Sequence, residues 1–203
     1  MASGARTLLV FLKAPVPGKV KTRLAESLGP GKACEAYREM AREVFQAARS
    51  LEGVRTVAVY DPAPGDTGPD WLAQGPIEWW PQAEGDLGNR LGAAFFRAFQ
   101  EGSRRVAAIG ADSPGLPPDW IQRGFDFLAS KDLVLGPAED GGYYLIGLRR
   151  SRPELFDGVP WSSGREFGAT LEKALGLGLQ VEVLPLYYDV DDLEALKRWR
   201  NGA

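Results

Sequence analysis

The chain has 203 residues, 44% of them hydrophobic, and a formal charge of −3, which suits one well-cored domain over 1–203 and provides no global attraction to nucleic acid. It has no histidine and a single cysteine, which excludes Ser–His hydrolysis, histidine-ligated zinc and a disulfide framework, and leaves chemistry to carboxylates, Lys/Arg, backbone amides and a hard metal. The opening Met1–Arg6 lacks the apolar core of a signal peptide and no apolar run approaches a membrane span. A cytoplasmic protein with neither membrane nor nucleic-acid partners is therefore expected.

Thr7-Leu8-Leu9-Val10-Phe11-Leu12 is a continuous apolar run suited to a strand buried on both faces. Pro15, Pro17 and Gly18 then forbid both helix and ladder. Lys13, Lys19, Lys21 and Arg23 cluster where freed backbone N–H groups and a helix start also favour an anion. This reads as a phosphate-gripping loop, against the plainer alternative of a solvated surface loop. Neither G-x-x-x-x-G-K-[ST] nor G-x-G-x-x-G is present.

Apolar spacing predicts a helix over 32–51, with Cys34 a packing residue, then a strand over 54–60, a Pro/Gly-rich loop over 61–69 and a short strand over 77–80. Gly85-Asp86-Leu87-Gly88-Asn89-Arg90 opens the next helix, whose apolar stripe runs from Leu87 to Phe99. Gly88 and Asn89 could meet a base edge and Arg90 a phosphate; alternatively the stretch is a helix entry capped by Asp86. A strand over 105–109 ends at Gly110-Ala111-Asp112-Ser113-Pro114, a helix follows over 118–130, and strands follow over 132–136 and 143–148. Asp112 either holds a phosphate-bound metal or caps the turn that follows it. Asp140, in Glu139-Asp140-Gly141-Gly142, is also the strongest plain hairpin signal. Ser163 and Glu166 fit a capping box for a helix to about Leu177, and a last strand runs over 180–184. Asp189, Asp191 and Asp192 precede a short helix, for which Asp191 with Glu194 makes a plausible cap. Alternating strands and helices predict a three-layer α/β/α domain with a mostly parallel sheet, and ligands outside the carboxyl ends of its strands.

Five strings in order, K-x-P-x-P-G-x-V-K-T-R-L, G-D-L-G-x-R-L, G-A-D-S-P-G-L-P, E-D-G-G-Y-Y-L-I-G-L and D-V-D-D, resemble a small bacterial nucleotide-diphospho-sugar transferase-like family. It is related to the molybdenum-cofactor and phospholactate guanylyltransferases. The resemblance implies a GT-A-like fold and an enzyme, a transferase that takes a nucleotide donor and a small-molecule acceptor with Mg2+ or Mn2+. It implies a basic loop of Lys13, Gly18, Lys19, Lys21 and Arg23 on the donor phosphates, Gly88, Asn89 and Arg90 near the base, and a metal on Asp112 and Asp191. Asp140 then belongs to the substrate pocket, and Trp161, in its P-W-S-S segment, lies near the acceptor. Four loop cations suit a triphosphate better than a diphosphate. The resulting lean is to nucleotidyl transfer onto a phosphorylated acceptor with release of pyrophosphate. Glycosyl transfer from a nucleotide-sugar is the first alternative, and a non-catalytic nucleotide-binding partner protein the second.

Overall fold

The structure is a computed structural model that describes residues 6–202; the reading of Met1–Arg6 falls, but for Arg6, outside the described residues. Strand β1 (Arg6–Lys13) leads through the basic loop into helix α1 (Thr22–Leu28), and helix α2 (Pro30–Arg49) returns the chain to β2 (Arg55–Asp61). Short β3 (Trp79–Pro81) precedes α3 (Leu87–Gln100) and β4 (Arg105–Gly110). Helix α4 (Pro118–Phe127), the pair β5 (Leu133–Pro137) and β6 (Tyr143–Leu148), helix α5 (Glu166–Gly176), β7 (Val181–Val183) and α6 (Leu193–Arg200) complete the order. Among the described residues no helix is long and apolar enough to cross a membrane.

The seven strands form one sheet in the order β3-β2-β1-β4-β6-β5-β7. Only β6 runs against its neighbours β4 and β5, because the short turn from Pro137 to Tyr143 can join antiparallel strands alone. In β1 the pleat sends Leu8, Val10 and Leu12 to one face, where they pack with Met40 and Phe45 of α2 and Phe125 of α4. Leu9 goes to the other face, with Leu91 and Phe95 of α3 and Ala174 of α5. Burying both faces of the central strands explains why β1 and β4 read as unbroken apolar runs. The result is the expected three-layer α/β/α domain.

Strand order reverses beside β1, which has β2 on one side and β4 on the other. The loops that leave β1 and β4 therefore emerge at one edge. The hairpin turn before β6 reaches the same edge, since Ile109 pairs with Leu145 and Pro137 with Tyr143. A bridge between Ala138 and Tyr187 adds the segment before α6. Four stretches that are remote in sequence thus meet outside the carboxyl ends of the parallel strands, as open α/β sheets dictate.

Candidate active site

The loop after β1 is held from below by α2. The Tyr37 hydroxyl accepts from the Lys13 N–H at 2.8 Å and donates to the Lys13 carbonyl at 3.2 Å, while the Cys34 thiol donates to the Pro15 carbonyl at 3.0 Å. Burial and the neighbouring Asp112 raise the Tyr37 phenol, which stays neutral. Lys19 N–H donates to Val16 C=O at 3.0 Å across Pro17 and Gly18, and Gly18 has φ of 77°. Proline at the second position and glycine at a positive-φ third position are what a type II turn requires. Gly18 thus sets the course of the loop, while the side chains that line the crevice beside it are Lys13, Lys19, Lys21 and Arg23.

Lys21 differs from its neighbours. Its backbone adopts the left-handed conformation, φ 48° and ψ 51°, immediately before α1, a cost of roughly 1–2 kcal/mol for a residue with a Cβ. Its side chain is only 4% exposed, and its Nζ lies 2.6 Å from Asp112 Oδ1 and 2.7 Å from Asp191 Oδ1. Burial pulls its pKa down, but Asp112 and Asp191 outweigh that and raise it, so the ammonium stays charged. The third of the four loop cations thus grips carboxylates, while Lys13, Lys19 and Arg23 line the crevice beside it. Arg23 is 65% exposed and stands 4.0 Å from Asp191 and 3.6 Å from Asp192. Among the described residues no carboxylate pairs with Lys13 or Lys19.

Asp112 and Asp191 meet because the Val190 N–H donates to the Asp112 carbonyl at 2.8 Å, stitching the chain before α6 onto the loop after β4. The cap of α6 is Asp192, which accepts from the Ala195 N–H at 2.9 Å. Sequence reasoning placed that cap at Asp191; moving it one residue leaves Asp191 free to face Lys21. Asp189, the first of the three aspartates before α6, accepts from the Ser113 hydroxyl. Burial lifts its pKa to about 6; Asp112 and Asp140 push the same way, and the Ser113 bond and Lys21 pull against them.

Two carboxylate oxygens within 2.7 Å of one cationic nitrogen form a seat for positive charge. Hard oxygen donors in that number suit Mg2+ or Mn2+, which take one or two carboxylates and complete their shell from phosphate and water. No group of three or more His, Cys, Asp or Glu side chains able to hold a metal occurs among the described residues.

Asp140 combines both of its sequence readings. Its Oδ1 accepts from the Gly142 N–H at 2.8 Å, as a turn aspartate does, and the residue also lines the crevice. Arg90 lines the crevice too, but it is anchored to Asp61 at 3.2 Å, the Gln82 amide oxygen at 3.0 Å and the Gly85 carbonyl at 3.0 Å. Gln82 in turn donates to the carbonyls of Leu12 and Val59, so it fastens this loop to the ends of β1 and β2. Gly88 and Asn89 are not brought to the crevice. A Cβ on Gly88 would lie 2.6 Å from the Trp161 indole nitrogen, and Asn89 folds back against Gly85. Asp86 is the N-cap, accepting from the Asn89 N–H at 2.9 Å, so the helix-entry reading describes this stretch. The capping box at α5 is half formed: Glu166 accepts from the Ser163 N–H at 2.7 Å, whereas the Ser163 hydroxyl donates to the Pro160 carbonyl.

The whole crevice encloses about 1130 Å³. A model of the bacterial family described as "Uncharacterized protein conserved in bacteria (DUF2064)" matches residues 44–163. The chain belongs to the DUF2064 family. A protein from Desulfovibrio desulfuricans G20, assigned as a nucleotide-diphospho-sugar transferase, shares 36% identity with this DUF2064 chain at a TM-score of 0.90, over 98% of this chain and 87% of that one. This bears out the fold and the family resemblance drawn from the five strings. The inositol-1-phosphate CTP transferase of T. maritima shares the fold at 16% identity and TM-score 0.55, with 98% of both chains covered. So does a Mycobacterium tuberculosis H37Rv protein in complex with manganese, at 14% identity and TM-score 0.58, over 98% of this chain and all of that one. No curated protein matches the DUF2064 chain.

Proposed function

We propose that the crevice is the active site of a metal-dependent transferase that binds a nucleotide donor and transfers its nucleotidyl group. The observation that carries this reading is the juxtaposition of the Asp112–Asp191 pair with Lys13, Lys19 and Arg23 at one sheet edge. Asp112 and Asp191 would hold Mg2+ or Mn2+, which supplies charge neutralisation on donor phosphates. The three cations would take the phosphates on their outer side. An acceptor oxygen forms a bond to the α-phosphorus as the bond from that phosphorus to the β-bridging oxygen breaks, and pyrophosphate leaves with the electron pair. The chain's contribution is placement plus electrostatics. Structural relatives described as a CTP transferase and as a manganese complex support a nucleotide and a divalent metal.

Glycosyl transfer from a nucleotide-sugar is the second reading. It is favoured by the pairing of Lys21 with Asp112 and Asp191, since only Lys13, Lys19 and Arg23 of the loop then stand toward a leaving group until a metal displaces the ammonium. A silent binding protein would not need Asp112, Asp140 and Asp191 together. Asp112→Asn tests the common core of both catalytic readings: it removes a charge at a half-exposed position and should abolish metal-dependent nucleotide binding by calorimetry with the fold intact. Binding as tight as the parent's would assign Asp112 to the turn alone.

A further inference from the structure

Charge is divided across the crevice. Its lining cations Lys13, Lys19, Lys21, Arg23 and Arg90 come from the end of β1, the loop after it, the start of α1 and α3, a side that also carries Asp86, while the wall built by the hairpin turn, the start of α5 with the segment before it, and the stretch before α6 carries Asp140, Glu166 and Asp189 beside the Asp191 of the metal seat, and no lysine or arginine. The metal seat lies between the two sides. We infer that the acceptor held on this second wall is an uncharged, polyhydroxylated molecule and not a phosphate ester; the inference rests on the crevice being a nucleotide-donor transferase site.

A phosphate ester carries between about −1.5 and −2 charges at neutral pH. On this wall it would face three carboxylates with no cation to compensate, and like charges at a half-buried site repel. Carboxylates accept hydrogen bonds, which is what the O–H groups of a polyol offer. Trp161 and Tyr143 supply aromatic surface for the C–H faces of such a molecule. The two rings meet edge-on, 6.5 Å between centroids.

The wall is built rigidly. Ser162 is held at φ 60° between Trp161 and Ser163, and Glu166, 8% exposed, receives the Ser163 N–H. The Phe167 N–H donates to the Gly141 carbonyl at 3.1 Å, and a Cβ on Gly141 would stand 2.0 Å from the Gly164 carbonyl oxygen. The hairpin turn and the segment before α5 are therefore one surface. An attacking hydroxyl must lose a proton as its oxygen bonds to phosphorus, and Asp140 is the exposed carboxylate on this surface that would take it. Arg165 is the one cation in the same segment; it is exposed and not among the residues that line the crevice.

The test compares one ring in three charge states, glucose, glucose 1-phosphate and glucosamine, with mannose and myo-inositol and their phosphate esters alongside. Each is titrated by tryptophan fluorescence into the full chain loaded with Mn2+ and the triphosphate that binds best, with Trp161→Phe as the control for the reporting residue. The expected result is that at least one neutral polyol binds tenfold or more tightly than its own phosphate ester, and that Asp140→Asn, alone and with Glu166→Gln, narrows the ratio. Tighter binding of a phosphate ester, most tellingly one lost in Arg165→Ala, would overturn the inference, as would binding of the amine alone. Silence from every sugar while Mn2+–triphosphate still binds would overturn it and leave the donor reading standing. Failure of Mn2+–triphosphate itself to bind would defeat the donor reading first, and the inference with it.

Discussion

Lys21 shows how far single residues could be read ahead of the structure. Its charge and its place in a stiff loop were plain, but its partners stand 91 and 170 positions later, and nothing local indicates that a cation in a basic loop will be drawn to carboxylates and not to phosphate. Since the ammonium occupies the seat a divalent ion would take, Lys21→Met should tighten Mn2+ binding in the absence of nucleotide. Vacating the seat should be worth about tenfold, or ~1.4 kcal/mol, after solvent screening of two half-exposed carboxylates. Calorimetric titration of Mn2+ into both proteins checks this, and unchanged or weaker affinity would place the metal elsewhere. Asp189 provides the pH dependence. Burial lifts it from 3.8 to about 6, so the folded protein binds more protons than the unfolded chain between those values, and this residue's contribution to stability falls as pH rises through that window. Asp189→Asn should flatten that slope and stabilise the metal-free protein above pH 6 by on the order of 1–2 kcal/mol. Thermal unfolding from pH 4 to 8 would show it, and a variant less stable than the parent at pH 8 would mean that the Ser113 contact outweighs burial.

Elements were legible wherever apolar period and punctuation agreed: α2, α3, β1 and β4 lie within a few residues of where the spacing puts them. What escaped were contacts between elements, because glycine in a sequence signals a turn long before it signals a close approach. Gly88 resembled part of a nucleotide loop, yet its lack of a side chain makes room for Trp161. Gly141 has φ of 88° and almost touches Gly164, so it joins the two loops of the acceptor wall. Gly141→Ala should cost more than about 2 kcal/mol, from left-handed strain plus a contact no rotamer relieves. Gly168, inside α5 with nothing near a prospective Cβ, makes the control: Gly168→Ala should stabilise by about 0.5–1 kcal/mol. Denaturant midpoints for the pair would decide, and equal effects would mean that the Gly141–Gly164 contact is not a joint.

At the scale of the molecule, alternation of strands and helices predicts the layers and the edge at which a ligand sits, because a parallel sheet buried on both faces leaves few other topologies. The division of charge across that edge was not legible, since each wall is assembled from separated stretches and the chain's overall charge is nearly balanced. It bears directly on which donor the crevice holds. With a divalent ion on Asp112 and Asp191 in place of the Lys21 ammonium, the metal and the cations Lys13, Lys19 and Arg23 face the donor, and a triphosphate brings more negative charge to them than a diphosphate or a nucleotide-sugar does. A ligand at ~100 times its dissociation constant adds about 2.7 kcal/mol, which for a domain of this size raises the melting temperature by roughly 5–10 °C. Across a panel of triphosphates, diphosphates and nucleotide-sugars, each with and without Mg2+, one triphosphate should therefore give the largest metal-dependent shift, and pyrophosphate should compete with it. A nucleotide-sugar that outranks every triphosphate would move the reaction to glycosyl transfer, with its leaving diphosphate resting on the same three cations. Shifts that ignore Mg2+ would detach the Asp112–Asp191 seat from the donor altogether.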